Sequence, residues 1–151
     1  MSEIDVVDEA VIDADTATVY RALINEIKGS THWWMPYWES KPRGDIAVGQ
    51  VGAITDITVH RAGTTRFTVK ATEIIENKLI RVKFVEGDFL GDGEWTFKPE
   101  NGKTKIRFRW KVRPNRFLTK LMSRFVNIGK IHSKVMQAGF EGLNKYLKQK
   151  K

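Results

Sequence analysis

The chain has 151 residues, a formal net charge of +8 and no cysteine. That length supports one domain with a real hydrophobic core rather than two, and the lack of cysteine excludes disulfides, thiolate nucleophiles and cysteine-ligated metals. His32, His60 and His132 form no HxxxH or HExxH pattern, no apolar run approaches the roughly 18 residues of a membrane span, and the acidic start MSEIDVVDEA has no basic segment followed by an apolar one, so a single cytoplasmic domain without metal or cofactor is expected.

Residues 4–14 read as a strand carrying Val6, Val7, Val11 and Ile12. Asp15 and Thr16 offer a helix N-cap, and residues 17–27 read as one or two short helices ending near Gly29. Next comes His32-Trp33-Trp34-Met35-Pro36-Tyr37-Trp38, a dense aromatic cluster interrupted by a proline. Two readings stay open for it: a hydrophobic plug beneath a turn, or the lip of a ligand pocket to which Trp33, Trp34 and Tyr37 belong. A short extended piece at 39–43 and a Gly-Asp turn lead into strands expected at 50–61, 64–77, 79–87, 90–99 and 103–113. Their connections, Ala62-Gly63, Asn77-Lys78, Gly87-Asp88 and Glu100-Asn101-Gly102, have hairpin length, so the strands form an antiparallel meander. In the last strand Ile106, Phe108, Trp110 and Val112 alternate with Lys105, Arg107, Arg109, Lys111 and Arg113, and Trp95 and Phe97 repeat the pattern next door. The sheet therefore has one apolar face.

Residues 118–147 carry one apolar stripe at helical spacing with nothing that breaks a helix, and a single thirty-residue helix is expected. The stripe includes Phe125, Met136, Phe140 and Leu143, with His132 near its centre and Gly129 and Gly139 on either side. Laying this helix across the sheet, with the sheet curving around it, buries both apolar faces.

The run Gly93-Glu94-Trp95-Thr96-Phe97-Lys98-Pro99, followed by residues 102–113 with Thr104, Ile106, Trp110, Val112 and Arg113, resembles the G-x-W-x-F-x-P, G-x-T-x-V-x-x-x-W-x-V-R pattern of bacterial polyketide cyclase/dehydrase-like proteins. HSKVMQAGFEGL at 132–143 is similar to the H-D-x-V-M-x-x-G-x-x-G-L of that family's last helix, with Ser133 where the pattern carries Asp. Together with the order of elements, the resemblance covers nearly the whole chain and points to the START-related superfamily, which also holds pollen-allergen-type ligand carriers and coenzyme-Q-binding proteins. It implies an α+β helix-grip fold: a curved antiparallel sheet of about seven strands wrapped around a long C-terminal helix, with two short helices after the first strand. It also implies a cavity between helix and sheet for a hydrophobic or amphipathic small molecule such as a lipid, polyketide or isoprenoid.

Trp95, Phe97, Phe108 and Trp110 are expected to face Phe125 and Met136 across that interior, where the helix glycines would leave room. His132 is either a core histidine satisfied by a carbonyl or water, or the polar contact for a ligand. Nothing in the sequence places an orienting carboxylate or a nucleophile beside it, so no catalytic residue is assigned. A polyketide cyclase/dehydratase-type enzyme that works by holding and bending its substrate is the first alternative. The second is a binder of nucleic acid or anionic surfaces through Arg66, Lys70, Arg81, Lys83 and the 105–113 basic row. Against it, the aromatic residues alternate to the opposite face, and pairing of the first strand with the last would set Glu9 and Asp13 beside some of those arginines. A monomer without specific nucleic-acid binding, and with at most transient contact with an anionic membrane, is expected.

Overall fold

The computed structural model describes residues 3–122, 124 and 126–150. In chain order the elements are β1 (Ile4–Ile12), α1 (Thr16–Ile27), β2 (Trp38–Arg43), β3 (Ile54–His60), β4 (Thr64–Ile75), β5 (Leu79–Gly87), β6 (Phe89–Glu100), β7 (Lys103–Pro114), α2 (Phe117–Met122) and α3 (Ile128–Gln149). All seven strands form one antiparallel sheet in the order β1-β7-β6-β5-β4-β3-β2, so the first strand closes against the last.

Period-two alternation decides which face of the sheet is buried. In β7, Ile106, Phe108, Trp110 and Val112 are buried while Arg107, Arg109 and Arg113 are exposed. Trp95 and Phe97 of β6, Ile80 and Phe84 of β5, and Phe67 and Val69 of β4 extend the same inner face. Register shifts in β4 at Thr68/Val69 and Ala71/Glu73 bend the sheet. Gly91 in β6 serves the same curvature: its φ is +148°, and a Cβ there would run into the backbone of Lys111 and Val112. The hairpin turns fall where the sequence puts them, with left-handed backbone at Ala62, Asn77 and Asn101. The extended piece at 39–43 is the edge strand β2, and its Pro42 suits an edge, where a missing N–H leaves no ladder bond unmade.

Most strand ends fall within two residues of the sequence reading, and three elements differ by more. The strand expected at 50–61 begins only at Ile54, because Gly49 and Gly52 take positive φ and turn the chain before it. A single twelve-residue helix, α1, stands where two short ones are implied. The expected thirty-residue helix is two helices. α3 starts afresh at Asn127, whose side-chain oxygen accepts from the Lys130 N–H at 3.0 Å as an N-cap. Its 22 residues still span roughly 33 Å, and its buried side, with Val135, Met136, Gly139, Phe140 and Leu143, lies against the inner sheet face and β1.

Candidate functional site

Between the inner sheet face and the two C-terminal helices lies a cavity of about 420 Å³, within the size range of small-molecule sites. Its walls are apolar in the main: Trp95, Phe108 and Trp110 from the sheet and Val135 and Met136 from α3. Among the lining residues, Ala62 and Gly63 of the β3–β4 turn, Thr64 and Met122 of α2 are exposed, which puts the opening to solvent on that side.

His132 of α3 lines this cavity, with its ring stacked parallel on the Trp110 indole at 4.0 Å and 2°. Its Nδ1 lies 3.4 Å from Oδ2 of Asp8, a carboxylate only 6% exposed. Asp8 comes from β1, where the inward positions are otherwise Ile4, Val6, Ala10 and Ile12. It sits opposite Phe108 in the β1–β7 register. Asp8 Oδ2, His132 Nδ1 and Trp110 Nε1 are all buried, and none makes a hydrogen bond. Three such atoms gathered in one place are unusual, since buried polar groups are nearly always paired. The 3.4 Å approach is longer than a good hydrogen bond and is electrostatic in character.

Burial pushes the His132 imidazole below its ordinary value, against the smaller opposite pull of the Asp8 carboxylate. The neutral imidazole is therefore the favoured form at neutral pH. With a depressed folded value, stability is fully present above the ordinary value of 6.5 and declines as pH falls below it, because the unfolded chain takes up the proton first. Melting temperatures followed from about pH 7 down to about pH 5 should therefore decline, and His132→Gln should flatten that part of the slope. An unchanged slope would assign the titration to another group.

The aromatic cluster after α1 is held as a plug. Glu26 accepts from the Thr31 hydroxyl at 2.6 Å, the Trp33 N–H at 3.2 Å and the Trp34 N–H at 2.9 Å. Trp34 stacks between Trp33 and Trp38, at 5.5 and 4.6 Å, and its indole N–H donates to the Val135 carbonyl of α3 at 2.9 Å. Trp34 and Trp38 form part of the cavity wall, whereas Trp33 and Tyr37 lie outside its lining.

Of the other residues singled out from the sequence, His132, Trp95, Phe108, Trp110 and Met136 line the cavity together. Phe97 points instead to α1, edge-on to Tyr20 at 5.3 Å. Phe125 lies outside the described residues. The helix glycines are not cavity space: a Cβ on Gly139 would fall within the Trp34 ring, one on Gly142 would meet the Trp33 carbonyl, and one on Gly129 would lie 3.0 Å from Val6. They let the loop and β1 approach α3 closely. Asp8 is the site residue that sequence reasoning misses, and the β1 alternation alone does not mark it as inward.

The basic outer face is threaded with carboxylates. Asp5 holds Arg109 through two bonds, at 3.0 and 2.7 Å; Glu9 reaches Lys105 at 3.5 Å; Arg81 bridges Glu73 and Glu94 at 2.6 and 2.7 Å. Glu9 thus meets a lysine, with Arg107 opposite it in register, while Asp13 lies past the end of β1. The Arg109 guanidinium holds the Asp5 carboxyl below the usual carboxylate range. Among the described residues there is no group of three or more His, Asp or Glu placed to hold a metal, and no helix is long and apolar enough to cross a membrane.

No protein-family model matches the sequence, and no curated protein matches it. Solved structures do match the fold across nearly its whole length. The protein TTHA0849 from Thermus thermophilus superposes with a TM-score of 0.76 at 18% identity, covering 94% of this chain and 95% of that one. The Zhui aromatase/cyclase from Streptomyces sp. R1128 gives 0.75 at 12% identity, covering 98% and 95%, and Ara h 8.0201 gives 0.65 at 13%, covering 98% and 99%. The architecture is the helix-grip fold.

Proposed function

We propose that this protein binds a hydrophobic or amphipathic small molecule, of the lipid, polyketide or isoprenoid kind, in the cavity between α3 and the sheet, and acts in the cytoplasm as a carrier or sensor. The observation that carries the reading is an apolar chamber of about 420 Å³ with His132 as a polar group on its wall. A structural neighbour named as an aromatase/cyclase supports an interior able to hold such a molecule. With Nδ1 turned to Asp8, the neutral ring keeps Nε2 as an acceptor, suited to a ligand hydroxyl. Loading at an anionic membrane fits the exposed Phe117, Leu121 and Met122 of α2, which lie in sequence between Arg116 and Arg124 beside the opening. The rival nucleic-acid reading is weakened by the ion pairs on the outer face and by the inward direction of the aromatic rings.

Native mass spectrometry of protein purified without denaturation from its own host should show a bound small molecule. Naphthol and naphthalene then test the polar contact: wild type should prefer naphthol, and His132→Ala should lose about fivefold of the naphthol affinity while leaving naphthalene unchanged, as expected for one neutral hydrogen bond. Absence of any co-purified molecule together with no binding of either probe would overturn the reading.

A further inference from the structure

We propose that Asp8 and His132 form a proton-abstracting unit, with His132 Nε2 as the catalytic base toward an activated carbon acid held in the cavity and Asp8 as the positioning residue behind it. The proposal rests on the cavity-binding reading above and adds a chemical step to it.

The arrangement has the parts that such a base needs. The Trp110 stack and the Asp8 carboxylate fix the plane and rotation of the imidazole from two sides. An Nδ1–H facing Oδ2 sets the tautomer and leaves the Nε2 lone pair for a substrate. When the base takes a proton, the imidazolium is formed next to the carboxylate, which stabilises it without needing to accept the proton itself. Among the described residues the only ion-pair partner of Asp8 is His132, so that stabilisation is not already taken up by a lysine or arginine. The surrounding apolar rings lower the local dielectric, and this strengthens the charge interaction in the state that forms during reaction.

A purely structural role accounts poorly for the same facts. A buried carboxylate and imidazole that fail to complete a hydrogen bond cost stability relative to apolar residues of similar volume. Inward Ile4, Val6, Ala10 and Ile12 show that β1 has no need of a polar residue to pack there. The reaction also requires no co-reactant. The C–H bond breaks, its electron pair enters the conjugated system of the substrate, the proton goes to Nε2, and it returns to the product or to solvent.

Nitrobenzisoxazole is a probe of this step. Removal of its ring C–H proton by Nε2 turns the C–H electron pair into a nitrile π bond as the N–O bond breaks, giving a coloured cyano-nitrophenolate, and the imidazolium then releases its proton to water. Wild type is expected to turn over this probe about 100-fold or more faster than His132→Ala. Asp8→Asn should lower the rate roughly tenfold and move the inflection of the pH–rate profile to lower pH, since the carboxylate raises the basicity of the ring. The groups that face His132 are Asp8 from β1 and the uncharged rings of Trp110 and Phe108 from β7, and the other charged side chains lining the cavity are Arg61 and Asp88.

Nitroindazole, which has no N–O bond to break, reports binding separately through quenching of tryptophan fluorescence. If it binds and the wild-type and His132→Ala rates are equal, the base is overturned while the cavity reading stands. If it fails to bind and no turnover is seen, both fall. Should Asp8→Asn fail to fold by circular dichroism, His132→Gln, which keeps a polar group in place, decides the question by the same rate comparison.

Discussion

Trp34→Ala should lower the free energy of unfolding by about 3–5 kcal/mol, the range for removing a large buried aromatic side chain. Trp34 is 2% exposed. It lies between two other indoles and edge-on to Trp95 at 6.1 Å, so its loss leaves a void bounded by three rings and by α3. The substitution also removes a donor from the Val135 carbonyl. Urea denaturation followed by circular dichroism measures the change. A loss below about 1 kcal/mol would mean that the aromatic loop lies outside the cooperative unit.

Gly139→Ala should be the second most damaging change, although alanine is the better helix former by roughly 1 kcal/mol. The new Cβ would fall within the Trp34 ring, so either α3 or the loop must move, at a cost of about 1–3 kcal/mol or more. The two predictions can be tested against each other. In a Trp34→Ala background the obstacle is gone, and Gly139→Ala should become neutral or stabilising. A double-mutant cycle should therefore show a coupling energy within about 0.5–3 kcal/mol. Additive effects would contradict the contact between indole and glycine.

The sheet was legible in the sequence because its strands are half buried and alternate with a period of two; the Trp110 and Phe108 positions follow from that alone. The α2–α3 break was hidden for the opposite reason. The apolar stripe continues in phase from 118 to 147, so periodicity runs across the interruption, and only Asn127, a good N-cap residue, hints at a restart. The helix glycines were visible but ambiguous, since a missing side chain signals either empty space or a close neighbour. Here the neighbour is Trp34, a residue more than a hundred positions away.

Asp8 was the hardest residue to see. In IDVVDEAVI, valines and carboxylates occur at both parities, so the inward set is not obvious from hydrophobicity. The structure turns Val7 and Val11 outward, 43% and 46% exposed, and Asp8 inward. Pairing with β7 imposes this choice, because Asp5 and Glu9 then face Arg109 and Lys105 while Ile4, Val6 and Ile12 go under α3. Outer-face charge pairing thus decides the parity of the strand, and with it the burial of one acid.

The closure of β1 on β7 also sets when the polar pair can exist. Asp8 is near the beginning of the chain and His132 near its end, so a fragment must span residues 8–132 to contain both. Loop-closure entropy opposes such a distant encounter until the intervening hairpins have shortened the path between them. The chamber's walls can begin to assemble from neighbouring hairpins, but its polar centre is a topological latch that engages only when the ends of the chain are brought together.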